Sequence, residues 1–92
     1  MRFDLDGRDL EIYEMLLFMV RSLVERPDDV EIDSTSSQSG CVFWIRVHST
    51  DVGKLIGKNG RTARALQIIV SASAMTAGRR FTIDIAKSAI DP

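Results

Sequence analysis

Between Asp9 and Glu25 the apolar positions recur with helical spacing and wrap most of the way round. With residues placed about 100° apart, Leu10, Ile12, Tyr13, Met15, Leu16, Leu17, Met19, Val20, Leu23 and Val24 cover more than half the circle. A stripe facing one core needs only somewhat over about 100°. The pattern therefore predicts a helix with more apolar surface than one sheet covers. Phe18 falls in the remaining arc, among Glu11, Glu14, Arg21 and Glu25. If the sheet takes the Tyr13, Val20 and Val24 side, Met15, Phe18 and Met19 form an exposed cluster, a candidate partner surface. Pro27 ends the helix.

The period then changes to two. Val30 and Ile32 alternate with Glu31 and Asp33, which predicts a short half-buried strand. Ser34 to Gly40 reads as a polar loop that reverses the chain. Cys41 to His48 is the strongest strand, with Cys41, Phe43, Ile45 and Val47 on one face and Val42, Trp44, Arg46 and His48 on the other. Ser49 or Thr50 can cap a short helix, with Asp51 favourable in its first turn. That helix breaks at Gly57. A further helix starts after Gly60 and runs to about Ala77, with Leu66, Ile69, Val70 and Ser73 inward and Gly78 as a C-terminal cap. Phe81, Ile83 and Ile85 alternate with Thr82 and Asp84 in a last strand. Residues 1–8 read as an N-terminal extension, 9–86 as the domain and 87–92 as a tail. The order is helix, strand, strand, helix, helix, strand. A helical crossover makes the last two strands parallel. The expected fold is α+β, a three-stranded mixed sheet with helices packed on one face.

Composition narrows the class. The 92 residues suit one domain, and a chain this short buries only about 60–65% of its unfolded surface. No apolar run nears the roughly 18 residues of a membrane span. The acidic start is wrong for an export signal, so the expected compartment is cytoplasmic. A single cysteine and a single histidine oppose a disulfide or a zinc site, and no cofactor is expected. Cys41 and His48 read as structural or surface residues. Arg79-Arg80 reads as a polar turn.

The net charge of −1 hides an asymmetry: residues 1–33 carry ten acids and four bases, whereas 51–80 carry six bases against Asp51. Binding follows the field at the contact surface and not the total.

The basic segment contains Val52-Gly53-Lys54-Leu55-Ile56-Gly57-Lys58-Asn59-Gly60-Arg61. Gly57 and Gly60 lack a Cβ and let a sugar-phosphate backbone approach the main chain. The amides of Lys58 to Arg61 precede a helix, whose free N–H groups favour an anion. Lys54, Lys58, Arg61 and Arg64 add charge, Asn59 can donate hydrogen bonds, and Leu55 and Ile56 anchor the loop. A P-loop is excluded, since Gly53 and Gly57 enclose only three residues and Asn59 follows the lysine. A dinucleotide fingerprint is excluded because a helix, not a strand, precedes the glycines.

Ile56-Gly57-Lys58-Asn59-Gly60, between two helices and after an amphipathic strand, resembles the GXXG loop of a KH domain. The element order is similar to the bacterial, type II arrangement (αββααβ). Asp51 to Leu66 and Ser22 to Val30 resemble the small bacterial single-KH RNA-binding proteins, the KhpA or YlqC type, over roughly residues 9–86. Ser49-Thr50 departs from that pattern, where a proline-led cap is expected, and Trp44 is unexpected on an open strand face. The resemblance implies single-stranded RNA binding, in an RNA chaperone or post-transcriptional regulator, with contacts at Lys54, Ile56, Gly57, Lys58, Asn59, Gly60, Arg61 and Arg64. Val52, Ile56 and Leu66 are candidates to sit under the bases. It also implies a homodimer, or a heterodimer with a second KH-containing RNA-binding protein. The rival reading is a protein-interaction module with RNA binding secondary. An enzyme has least support, because no paired-carboxylate, Ser/His/Asp or metal constellation surrounds the loop.

Overall fold

A computed structural model describes residues 7–75 and 78–86. The first helix, α1 (Gly7–Leu23), starts two residues before the periodicity suggests and stops at Leu23. Pro27 then opens a 3-10 turn, Pro27–Asp29. Strand β1 (Glu31–Ser36) pairs antiparallel with β2 (Gly40–Arg46), and β2 pairs parallel with β3 (Arg80–Ile85). The sheet order is β1-β2-β3. Between β2 and β3 come a 3-10 turn (Ser49–Asp51), α2 (Val52–Ile56), a second 3-10 turn (Lys58–Gly60) and α3 (Arg61–Met75). The mixed α+β sheet and element order are those expected. Of the extension expected at 1–8, residues 7 and 8 belong to α1; residues 1–6, the tail expected at 87–92 and the helix end expected at Ala77 lie outside the described residues.

Two expectations are corrected. The loop expected at Ser34 to Gly40 contracts to residues 37–39, because Ser34, Thr35 and Ser36 pair with Phe43, Val42 and Cys41. An apolar partner strand draws the polar run into the ladder, a tertiary override of local preference. On α3 the buried stripe is Leu66, Val70 and Ala74, whereas Ile69 is 42% exposed and Ser73 is half-buried. Burial follows i, i+4, i+8 because one ridge of the helix meets the sheet. Ile69 is turned toward α1 instead.

One face of the sheet carries the core. Cys41, Phe43, Ile45 and Val47 are buried, while Trp44 and Arg46 are exposed on the open face. Phe43 sits at the centre, its ring centroid 6.4 Å from Tyr13 and 5.9 Å from Phe81. Ile12, Leu16, Val20 and Val24 of α1 and the following turn pack on the same side. Trp44 is fixed at its edge, donating from Nε1 to Thr35 Oγ1 at 3.3 Å.

Two polar ties close the ends of the molecule. Arg79 donates to Asp9 Oδ2 at 3.0 Å and to the carbonyls of Gln38 and Gly40. It thus joins the first turn of α1, the β1–β2 turn and the approach to β3. At the other end Asp51 is buried, and its carboxylate accepts the N–H groups of Glu25 and Arg26, both at 3.0 Å. Asp51 therefore holds the exit of α1 against the entry of α2. The first-turn role expected from sequence is secondary to this tie, and His48 Nδ1 caps that turn by accepting from the Thr50 N–H.

Candidate nucleic-acid interface

Leu55 is fully buried and anchors α2 in the core. Ile56, expected to share that role, is half-buried and faces a groove instead. Helix α2 ends where the Gly57 N–H bonds to the Gly53 carbonyl at 2.8 Å. Gly57 then takes φ 79 and ψ 172, a region essentially reserved for glycine. A Cβ there would lie 2.3 Å from Thr62 Oγ1 and 2.8 Å from the Thr62 backbone nitrogen. Asn59 sits at φ 57 and ψ 27, in the left-handed region that Asn tolerates. Gly60 follows at φ 75 with open space around it. Three left-handed residues in four thus turn the chain sharply between α2 and α3 and expose Lys58 and Asn59.

The charges beside the loop divide. Lys54 pairs with Glu25, so its charge is already offset. Lys58, Arg61 and Arg64 are outside every ion pair among the described residues. Arg64 lines a groove of about 470 Å³ with Ile56, Ala63, Gln67, Ile83, Asp84 and Ile85. Arg61 borders a second groove, described below, on the α1 side of α3. The eight residues singled out from sequence all lie within residues 54–64 but serve two faces. Of the residues expected under the bases, Ile56 lines the groove, whereas Leu66 is only 3% exposed in the core and Val52 packs half-buried against it.

The far wall was not legible from the loop. Gln67 spans α3 and β3: its Nε2 donates to the Phe81 carbonyl and its Oε1 accepts the Ile83 N–H, each at 2.9 Å. Ile83, Asp84 and Ile85 complete that wall. The only sequence signal for Gln67 was its position one helical turn after Arg64. The groove is apolar at Ile56, Ile83 and Ile85 and carries the charge of Arg64, whereas Asp84, registered beside Trp44, points to the open face of the sheet. Such a slot can hold a flat base with its polar edge toward a rim, while the loop amides meet phosphate. Among the described residues no cluster of His, Cys, Asp and Glu could hold a metal ion.

A helix-strand-strand-helix-helix-strand order, a mixed three-stranded sheet and a two-glycine turn between the paired helices define a KH domain of type II order. Residues 13–85 match the KhpA/KhpB KH-domain family, and the chain belongs to it. Similar proteins include the RNA-binding protein KhpA of Streptomyces coelicolor, 44% identical over 78% of this chain and 87% of that protein. The RNA-binding protein KhpA of Oceanobacillus iheyensis is 43% identical over 73% and 89%. That of Borreliella burgdorferi is 35% identical over 86% and 93%. No solved structure is matched significantly.

Proposed function

We propose that this chain is a single-stranded RNA-binding protein that clamps the RNA backbone on the Gly57–Gly60 turn, in the cytoplasm. The carrying observation is the left-handed loop beside a half-apolar groove, with Lys58 and Arg64 outside every ion pair among the described residues. The names of its relatives support the same reading. Loop amides and Lys58 meet phosphates, and Ile56 packs under a base. A KH groove takes about four nucleotides, which gives modest affinity and suits an RNA chaperone or post-transcriptional regulator.

The test is Lys58→Asp combined with Asn59→Asp, measured by RNA titration and circular dichroism. Asp also tolerates the left-handed region, so the turn stays accessible and the helical signal is expected to persist. RNA binding is expected to vanish. Full RNA binding in the folded double variant overturns the loop assignment.

A second observation favours self-association alongside RNA binding. Phe18 is 73% exposed and borders an apolar groove of about 440 Å³ with Met19, Leu23, Ala65 and Ile69. Exposed Glu14 and Arg21 lie on either side of Phe18 along α1. An antiparallel crossing of two copies of α1 centred there sets Glu14 of each against Arg21 of the other, the self-complementarity a two-fold interface requires. The same groove suits a second KH-containing RNA-binding protein.

A further inference from the structure

We propose that the open face of the sheet, opposite the helices, holds a second nucleotide site, with a phosphate at Arg80 and its base stacked on Trp44. The site uses no residue of the loop and goes beyond the clamp reading. Side chains alternate along the strands. Thr35 of β1, Val42 and Trp44 of β2, and Arg80 and Thr82 of β3 therefore share this face. Thr35 lies beside Val42 and Val42 beside Thr82, with Arg80 next to Gly40. Thr35, Ser37, Ser39, Val42, Arg80 and Thr82 line a cavity of about 170 Å³ there, at the end of the face nearest the β1–β2 turn. Trp44 is 44% exposed, and among the described residues no ring stacks on it and no cation lies over it.

The cavity has the donors a phosphate takes. Arg80 is exposed and outside every ion pair among the described residues. Thr35 Oγ1 accepts from Trp44 Nε1 at 3.3 Å and keeps its own hydrogen to donate. The Thr82 hydroxyl is outside every side-chain hydrogen bond among the described residues. A guanidinium with hydroxyl donors is a usual set for phosphate oxygens. The bond to Thr35 also aims the indole. It leans the ring toward β1 and the cavity, away from Asp84, which registers with Trp44 on the β3 side. Arg46 bridges Glu31 and Asp33 at 2.9 and 3.4 Å, which offsets part of the acid beyond the ring. Charge on the face is thus divided, and a phosphate is confined to the Arg80 end while an uncharged base lies on Trp44. The indole edge at Thr35 stands level with Val42, two residues or about 7 Å along the strand from the Gly40–Arg80 pair. That matches the reach from phosphate to base within one nucleotide, and stacking on an aromatic ring accepts any base. The nucleotide can belong to an RNA strand or be free, and the test separates the two.

Trp44 is the only tryptophan, so its fluorescence reports this site directly. The full chain is titrated with adenosine, with adenosine monophosphate and with an unstructured RNA of about eight nucleotides. The monophosphate is expected to quench Trp44 and to bind about fivefold tighter than adenosine, the size of one exposed ion pair. Amide shifts are expected at Thr35, Val42 and Thr82. Arg80→Ala is expected to abolish the preference for the monophosphate while leaving adenosine unaffected, and Arg80→Lys to keep most of it. Lys58→Asp with Asn59→Asp is expected to leave the monophosphate titration unchanged. Quenching by RNA at lower concentration than by the monophosphate supports the site and assigns it to a strand, whereas the reverse order supports it and assigns it to a free nucleotide. No quenching by either ligand, with RNA still bound at the loop, overturns the site and leaves the clamp reading intact. Equal affinity for adenosine and its monophosphate overturns it too, as does loss of monophosphate quenching in the folded loop variant.

Discussion

Gly57 carries the tightest constraint in the loop. Its φ of 79 with ψ of 172 strains any L side chain, and a Cβ would also strike Thr62. Gly60 shares the positive φ but has nothing within 4 Å of a built Cβ. Gly57→Ala is therefore expected to cost roughly 1–3 kcal/mol in backbone strain plus a steric share, and Gly60→Ala about 1–2 kcal/mol. Urea denaturation of both variants measures the difference, and equal losses would show that the Thr62 contact relaxes freely. Asp51 is the other decisive residue. Burial acts to raise its carboxyl, but the N–H groups of Glu25 and Arg26, with Lys54 and His48 nearby, outweigh burial and hold it below its ordinary 3.8. A depressed carboxyl stabilises the fold fully above its ordinary value and loses that contribution as pH falls through the lowered one. Asp51→Asn is thus expected to weaken the fold at neutral pH, with the gap to wild type closing below about pH 4. Denaturation midpoints at several pH values read this directly. Cys41 is the reverse case: burial and then Asp9 push its thiol up to about 11. That matches its reading as a structural residue.

At the scale of elements, α1 is the unusual piece. Its buried side, Ile12, Tyr13, Leu16 and Val20, covers the sheet as the Tyr13 and Val20 spacing indicated. Of the expected outer cluster only Phe18 is open, because Met15 and Met19 pack half-buried against the core. The groove then draws its other wall from α3, through Ala65 and Ile69. Periodicity placed Ile69 inward because it weighed one helix against one core. Two helices side by side give a residue a third place to face. Burying a Phe contributes roughly 1.5–3 kcal/mol, so a symmetric pair gains about twice that from Phe18. Phe18→Ser is expected to lower the mass seen by sedimentation at micromolar concentration while leaving RNA affinity per chain and the helical signal intact. An unchanged mass and partner profile would remove α1 as the contact.

For the whole molecule, the near-zero net charge is a poor guide, because acids gather in the first third and bases around the loop. Binding that neutralises three to four phosphates has a slope near −0.7 per phosphate, so raising salt from about 50 to 200 mM weakens it roughly 20- to 50-fold. Fluorescence anisotropy across that range checks it, and a flat response would mean that phosphate is not the ligand. The chain by itself determined the element order, the strand faces and the loop. Those follow from local rules: period, breaker residues, and the freedom of glycine at positive φ. Only the tertiary structure decided which charges remain available and what faces the loop. Lys54 is offset by Glu25 and Arg79 by Asp9, pairs distant or non-obvious in sequence. The wall of Gln67, Ile83 and Ile85 exists because parallel pairing of β2 and β3 lays β3 beside α3. Such juxtapositions depend on how whole elements pack, a property no short window of residues contains.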